Sequence, residues 1–231
     1  MILSDFLKAV GQLPDGRFQR VLWLGIALTI ALLYGAYAGL LWLVSLIDPQ
    51  AITLPGVGEI TWIGDLLSWG SLFFMLFLSI FLMIPVASAI TSLFLDDIAQ
   101  AVEDAHYPHL PRPPRVTFWE GLKDSVNFLG VLLGANILAI FAYVILPFAA
   151  PVIFYGLNGF LLGREYFQLA AMRREGRDGA KALRSRHFGE IWLAGCLMAV
   201  PLTIPLVNLL VPILGAATFT HLYHRLAAKV G

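Results

Sequence analysis

Four long stretches without a charged side chain dominate this sequence and restrict what the chain can fold into. Residues 21–47, 66–95, 125–163 and 191–220 contain no Asp, Glu, Lys or Arg. The hydrocarbon core of a bilayer requires about 20 consecutive apolar residues in a helix. Only 13% of the chain is charged, against about 25% in soluble domains. We therefore expect an all-α integral membrane protein.

The four stretches are of two kinds. Residues 21–47 and 66–95 are long enough to span a bilayer as single helices. The last two stretches are interrupted by five prolines: Pro147, Pro151, Pro201, Pro205 and Pro212. A fragment such as 191–200 gives about 15 Å of helix, which is half the core thickness. We predict two long transmembrane helices followed by two Pro-broken, half-penetrating helical hairpins; tilted helices with proline kinks are the alternative.

The predicted organisation is a single membrane domain over residues 1–231. Its parts are an interfacial helix (1–20), two long transmembrane helices with an extramembrane extension (21–104), a linker (105–124), a first hairpin (125–172), a basic polar segment (173–190) and a second hairpin with the C-terminus (191–231). In the first part, apolar residues at helical spacing (Ile2, Phe6, Leu7, Val10 and Leu13) predict an amphipathic helix on the membrane surface, with Asp5 and Lys8 opposite. Residues 96–103 continue the second long helix, and we expect them to project into water.

The charges of the connecting segments predict the topology. Residues 48–65 contain three acids and no Lys or Arg, whereas residues 164–190 contain seven basic residues and four acids. Two crossings followed by two hairpins place all basic segments on one side, which the positive-inside rule makes cytoplasmic. Lys+Arg and Asp+Glu are both 15 in the whole chain, so net charge does not indicate a nucleic-acid partner, and we expect none.

Signatures of enzymes are missing from the sequence. There is no phosphate-binding loop and no Gly-x-Ser-x-Gly motif, so we expect no ATP hydrolysis and no catalytic residue. The single Cys196 cannot form an intrachain disulfide or a zinc site by itself. His106 and His109 fit an exposed loop, and His221 and His224 fit the membrane interface or proton handling. We expect no metal and no cofactor.

Three features that contain basic residues stand out in the sequence. The segment Gly16, Arg17, Phe18, Gln19 and Arg20 precedes the first membrane helix, where unpaired N–H groups and guanidinium groups suit an oxyanion. A positive-inside anchor on lipid headgroups is the alternative. Arg164 and Glu165 form an ionisable pair at a membrane boundary, which indicates either function or a structural salt bridge. A basic run either attracts anions or binds anionic lipid: Arg173, Arg174, Arg177, Lys181, Arg184 and Arg186.

Residues 204–218, Ile-Pro-Leu-Val-Asn-Leu-Leu-Val-Pro-Ile-Leu-Gly-Ala-Ala-Thr, resemble a run found in the CysZ family of bacterial sulfate permeases. Residues 182–186, Ala-Leu-Arg-Ser-Arg, are similar to the family's A-L-R-x-R, and the order of segments is the same. The resemblance implies a multi-pass protein of the bacterial inner membrane that supplies sulfate for cysteine synthesis. It also implies homo-oligomers, dimers or hexamers, whose subunits can lie in opposite orientations.

The resemblance also suggests site residues. The family's sulfate-binding loop, Gly-Leu/Ile-Arg-Arg, corresponds here to Gly16, Arg17, Phe18, Gln19 and Arg20, in which the adjacent Arg pair is split. Candidate pathway-lining residues are Asn136, Asn158, Arg164, Glu165, Thr203, Asn208 and Thr218, because polar groups must replace the water around sulfate. The expected partners are sulfate, membrane lipids and further copies of the chain. A membrane scaffold or lipid-interacting protein without transport is the alternative function; a membrane enzyme is disfavoured.

Overall fold

The computed structural model of the protein describes residues 1–45, 53–54, 58–59, 94–114 and 118–229. Its helices are α1 (Ile2–Gly11), α2 (Gly16–Ser45), α3 (Leu95–His106), α4 (Phe118–Ile145), α5 (Ala150–Arg186), α6 (Phe188–Ala199), α7 (Pro205–Asn208) and α8 (Val211–Ala227). Two-residue strands, β1 (Thr53–Leu54) and β2 (Gly58–Glu59), pair antiparallel with Thr53 opposite Glu59. The predicted all-α class is thus confirmed for the described part of the chain, where these short strands are the one exception.

The chain divides into two units, Met1–Leu22 with Ser92–Gly231, and Trp23–Thr91. In the second unit, Thr29 is buried and its hydroxyl donates a hydrogen bond of 2.7 Å to the carbonyl of Gly25. No helix within the described residues is both long enough and apolar enough to cross a membrane. Residues 66–93, most of the second predicted transmembrane helix, lie outside the described residues. The two membrane crossings therefore stay a prediction.

The prolines separate helices at the predicted places. A 3-10 turn over Pro147–Ala149 follows α4, and Pro151 lies in the first turn of α5. Pro201 begins a second 3-10 turn (Pro201–Thr203), Pro205 begins α7, and Pro212 lies in the first turn of α8. Proline suits these positions because the first N–H groups of a helix have no intrahelical acceptor. The predicted breaks are confirmed, whereas half-penetration of a bilayer stays a prediction.

Helix α8 is the centre of the first unit. Every residue from Val211 to Tyr223 is buried, and α1, α3, α5 and α6 all contact this helix. Phe18, Phe167 and Phe219 are among the largest fully buried side chains of the first unit. Burying each such aromatic side chain contributes about 1.5–3 kcal/mol to folding. The core is thus built around α8, which contains residues 211–218 of the segment that resembles the CysZ family.

Glycines permit the closest helix contact in the first unit. A Cβ atom on Gly163 of α5 would lie 2.7 Å from the carbonyl oxygen of Ile191 in α6, and one on Gly195 would overlap the carbonyl of Gly159. The Gly-x-x-x-Gly spacing of 159 and 163 thus lets two backbones meet. At Gly35, by contrast, nothing in the described residues lies within 4 Å of an added Cβ.

Two expectations about polar faces are wrong. Asp5 lies on the buried side of α1, where it pairs with Arg225 of α8 at 2.9 Å, while Leu7 is 58% exposed. The ion pair makes burial of the carboxylate tolerable. Residues 96–103 do not simply project into water, because α3 packs Leu95, Ile98 and Val102 against the core. Their i, i+3, i+7 spacing forms an apolar stripe that the acidic residues obscure in the sequence.

Candidate functional site

The turn before α2 places the predicted sulfate-binding residues at a helix N-terminus. Asp15 precedes the helix, and its Oδ1 accepts a hydrogen bond of 2.8 Å from the backbone N–H of Arg17. The carbonyl of Asp15 accepts a second bond, 3.0 Å, from the N–H of Gln19. The protein's own carboxylate therefore caps this helix in the manner of an N-cap aspartate. An anion arriving here would meet a group of its own charge.

Arg17 is held by a second carboxylate. Its Nη1 donates to Oδ2 of Asp104 on α3 at 2.6 Å, and the side chains are 53% and 31% exposed. Hydrogen bonds from Arg17 and from Gln100 lower the pKa of Asp104. An ion pair as exposed as this one is worth about 0–1 kcal/mol. Arg17 can consequently exchange Asp104 for another anion at little free-energy cost.

The remaining residues of the predicted loop have different surroundings. Phe18 is 1% exposed and belongs to the core, so it cannot contact an ion. Gln19 donates through Nε2 to the carbonyl of Leu13 at 2.9 Å. Gly16 and Arg20 are exposed, and Arg20 has no hydrogen bond or ion pair among the described residues. Because positions 17 and 20 are three apart in α2, both guanidinium groups lie on one face despite the split pair.

Glu103, which precedes Asp104 in α3, is the buried centre of a charge network that also contains Arg173, Arg174 and His224. Its side chain is 3% exposed and accepts hydrogen bonds from Nε of Arg174 (2.7 Å) and Nε2 of His224 (3.1 Å), with Arg173 Nη1 at 3.7 Å. Burial by itself raises the pKa of a carboxyl group, but the bonds from His224 and Arg174 and both arginine charges outweigh it and lower the pKa of Glu103 to about 2. Glu103 therefore joins α3, α5 and α8 as a carboxylate.

Histidines surround Tyr107 directly after α3. The ring of Tyr107 stacks on His224 with centroids 4.1 Å apart, and its hydroxyl lies 3.2 Å from Nδ1 of His221. His106 meets the ring of His221 edge-on. Burial, followed by the positive charge of its neighbours, lowers the pKa of His221 to about 3, so this imidazole is neutral at physiological pH. In the part of the chain that the structure describes, no cluster suited to a metal ion is found.

The candidate pathway-lining residues are dispersed over several elements. Asn136 and Asn158 donate to the carbonyls of Leu132 and Phe154, one turn earlier in their own helices, at 2.8 Å each. Thr203 does the same locally to Val200. Each of these side chains thus uses one donor on the backbone of its own segment.

The other pathway candidates make fewer contacts. Thr218 is buried and its hydroxyl has no hydrogen-bond partner, while Asn208 ends α7. Arg164 and Glu165 are partly buried and form no ion pair with each other or with any other described residue, so the structural salt bridge is not found. Among the described residues, no hydrogen bond joins any two of the seven candidates.

The basic run 173–186 lies in α5, on both sides of an interruption at Gly176, and its side chains have several partners. Arg173 and Arg174 bind Glu103, as described above, and Arg173 also donates to Oε1 of Gln100 at 2.7 Å. Arg184 donates to Oε1 of Gln168 at 2.8 Å, while Lys181 and Arg186 are exposed. The run is thus divided between a structural role at Glu103 and surface positions that remain accessible.

Comparison with known proteins supports the resemblance. A family model described as sulfate transporter CysZ/etoposide-induced protein 2.4 matches residues 5–212. Neither the curated proteins nor the solved structures contain a match. The matched range includes the turn at Arg17 and Arg20, the acidic helix α3 and all the proline breaks described above. The chain therefore belongs to the sulfate transporter CysZ/etoposide-induced protein 2.4 family.

Proposed function

We propose that this protein is a sulfate transporter or channel of the bacterial inner membrane, which admits sulfate to the cytoplasm for cysteine biosynthesis without hydrolysing ATP. The family match over residues 5–212 carries the proposal. The surface arginines at the start of α2 support it, because guanidinium groups match the oxygens of a tetrahedral anion. No step of the proposal requires a catalytic residue, a metal or a cofactor.

In the proposed capture step, sulfate competes with Asp104 for Arg17. Arg17 leaves its exposed partner, and Arg20, on the same face of α2, supplies a second positive charge opposite the doubly charged ion. Asp104 and the Asp15 cap repel the ion at the same place, which keeps binding weak. Weak binding suits a transport pathway because a permeating ion must also leave its site.

Beyond the capture step, we propose that the neutral polar groups of the Pro-broken helices line the path. Exposed apolar side chains support contact with membrane lipid or with further copies of the chain, since soluble monomers rarely expose contiguous apolar patches of this kind. Such side chains on α4 are Ile137, Leu138, Ile140, Phe141, Val144 and Ile145. We therefore retain a homo-oligomer, a dimer or a hexamer, as part of the proposal.

Growth of a bacterial strain that lacks its own sulfate import tests this function. Expression of the chain should restore growth on sulfate as the sulfur source, and the double variant Arg17→Ala, Arg20→Ala should reduce that growth. A Lys181→Ala variant is the matched control, because Lys181 is exposed and has no hydrogen bond or ion pair among the described residues. Equal growth of all strains on cysteine controls for toxicity. Failure to grow on sulfate, with the wild-type chain present in the membrane, would refute the proposal.

A scaffold or lipid-organising protein is the second candidate. The observation that favours it is that Asn136, Asn158 and Thr203 each donate one hydrogen bond to a backbone carbonyl of their own segment. A scaffold with this structure would bind membranes and partners without restoring growth on sulfate. The same complementation experiment therefore separates the two functions.

A further inference from the structure

A fold-back in α5 brings two arginines of distant sequence position together. Gly176 has φ 69° and ψ −175°, so the helix is interrupted there. In a straight helix, positions 168 and 184 would lie about 24 Å apart along the axis. Instead, Nη1 of Arg184 donates to Oε1 of Gln168 at 2.8 Å. The segment after Gly176 therefore returns alongside the segment before it.

Arg164 lies on the same face as this contact. It precedes Gln168 by four residues in α5, a spacing that places side chains next to each other on a helix surface. Burial and the nearby positive charge of Arg164 lower the pKa of Arg184. Two guanidinium groups and one carboxamide thus share a single place on the folded α5.

Among the described residues, no carboxylate forms an ion pair with either arginine. Arg17, Arg173, Arg174 and Arg225 each have an acidic partner within 4 Å. Arg164 and Arg184 are half-buried and have no ion pair among the described residues, and Glu165, although adjacent in sequence, pairs with neither. Like charges brought together and partly dehydrated are unfavourable unless an anion compensates them.

An unpartnered polar atom lies at the end of the same helical segment. His187 caps α5, three residues after Arg184, and its Nε2 is buried without a hydrogen-bond partner. Residues three apart at a helix end share a side. The unpartnered nitrogen of His187 is therefore expected on the same side of this segment as Arg184.

We propose that Arg164, Gln168 and Arg184 form a site for a tetrahedral oxyanion, a sulfate or phosphate group. Two guanidinium charges match a doubly charged oxyanion, and the Gln168 carboxamide orients Arg184. These residues differ from the Arg17 and Arg20 turn, and no described carboxylate forms a hydrogen bond or an ion pair with them. The oxyanion has two possible sources, a permeating ion or the phosphate of a lipid headgroup, and the experiment distinguishes them.

Titration of the purified full-length chain in neutral detergent with sodium sulfate and sodium phosphate tests the site. Every protein in this arm also carries Arg17→Ala and Arg20→Ala, so that the other proposed sulfate site does not contribute. Arg164→Gln and Arg184→Gln should each raise the dissociation constant by about tenfold or more, because each removes a charge-assisted hydrogen bond. Arg186→Gln is the matched control: it lies on the same segment, is exposed, and should bind as the wild type does. A second arm compares phosphatidylcholine vesicles with and without phosphatidylglycerol, using the melting temperature of the reconstituted chain.

The two arms identify the source of the oxyanion. Loss of sulfate binding in both glutamine variants assigns the site to a free anion. Stabilisation by phosphatidylglycerol that both variants lose, without sulfate binding, assigns it to a lipid headgroup; either result supports the site. If the wild type and both variants respond identically in both arms, the proposal is wrong. Uptake retained under that result would leave the proposed transport function intact, so the two failures are distinguishable.

Folding of the variants is checked by their melting temperatures without ligand. Removing one of two close positive charges should leave stability unchanged or raise it, in contrast to removal of a paired arginine. If a glutamine variant does not fold, Arg184→Lys is tested instead, with Arg186→Lys as its control. Lysine keeps the charge and lacks the planar fork, so weaker oxyanion binding in Arg184→Lys alone is expected; equal binding in the two would overturn the site.

Discussion

Replacement of Glu103 by Gln should be the most destabilising conservative change in the charge network. Glutamine keeps the shape and one acceptor oxygen but removes the charge. Arg173 and Arg174 would then remain, at 8% and 14% side-chain exposure, without their buried counter-ion. An unpaired buried charge is costly because neither water nor an opposite charge compensates it.

The magnitude follows from the pKa of Glu103. A value lowered from 4.5 to about 2 corresponds to about 3 kcal/mol of stabilisation of the ionised folded state, at 1.36 kcal/mol for each pH unit. Removal of one partner from a buried ion pair costs about 3–5 kcal/mol, which agrees. For a chain of this size, about 3 kcal/mol lowers the melting temperature by about 6–12 °C.

Thermal unfolding in detergent at pH 7 measures the effect, with Asp178→Asn as the control. Asp178 is exposed on α5 and has no hydrogen bond or ion pair among the described residues, so its loss should change stability by less than about 0.5 kcal/mol. If Glu103→Gln lowers the melting temperature no more than Asp178→Asn does, the buried network does not stabilise the fold as argued.

Acid supplies an independent check on Glu103. Its pKa is lower in the folded than in the unfolded state, so its contribution is complete above pH 4.5 and is lost as the pH falls to about 2. The stability difference between the wild type and Glu103→Gln should therefore shrink over that interval. A difference that stays constant from pH 5 to pH 2 would contradict a charge-based origin.

Three further changes test other parts of the structure. Asp104→Asn should release Arg17 and lower the sulfate dissociation constant by about two- to fivefold, the worth of an exposed ion pair; an unchanged constant in calorimetric titration would separate Arg17 from the anion. His221→Gln should make folding less sensitive to acid. The imidazole of His221 is buried and neutral, with a pKa of about 3, so the wild type loses about 2 kcal/mol of folding stability between pH 7 and pH 5. Equal losses of melting temperature in both proteins over this interval would refute this. Gly195→Ala should destabilise by about 1–3 kcal/mol because the added methyl group meets the α5 backbone, whereas Gly189→Ala, with open space around it, should not; equal melting temperatures would contradict the close contact.

Much of the helical organisation could be predicted because it depends on local chemistry. Proline cannot donate a backbone hydrogen bond and disfavours a helical residue before it, so the breaks near Pro147 and Pro201 follow from the sequence. The apolar spacing of α1 likewise predicts a helix. The polar side of that helix differs from the prediction, because Asp5 is buried in an ion pair with Arg225, more than two hundred positions later in the chain. Local periodicity carries no information about a partner so distant.

The candidate site was harder to predict for the same reason. Its anionic members, Asp104 and Glu103, lie in α3, far in sequence from the arginines that they bind. The excess of acids in the segment after the second apolar stretch was visible, but which acid meets which base depends on packing around α8. The fold-back at Gly176 was equally hidden, because a glycine inside a helical pattern does not reveal whether the chain reverses there.

Uptake of radiolabelled sulfate into proteoliposomes tests the central claim most directly. Vesicles containing the purified wild-type chain, with a sulfate gradient and no ATP, should take up sulfate faster than protein-free vesicles, and the initial rate should saturate with sulfate concentration. The double variant Arg17→Ala, Arg20→Ala should require more sulfate to reach half its maximal rate. Uptake equal to that of protein-free vesicles at every concentration, with folded protein in the membrane, would contradict sulfate transport by this chain.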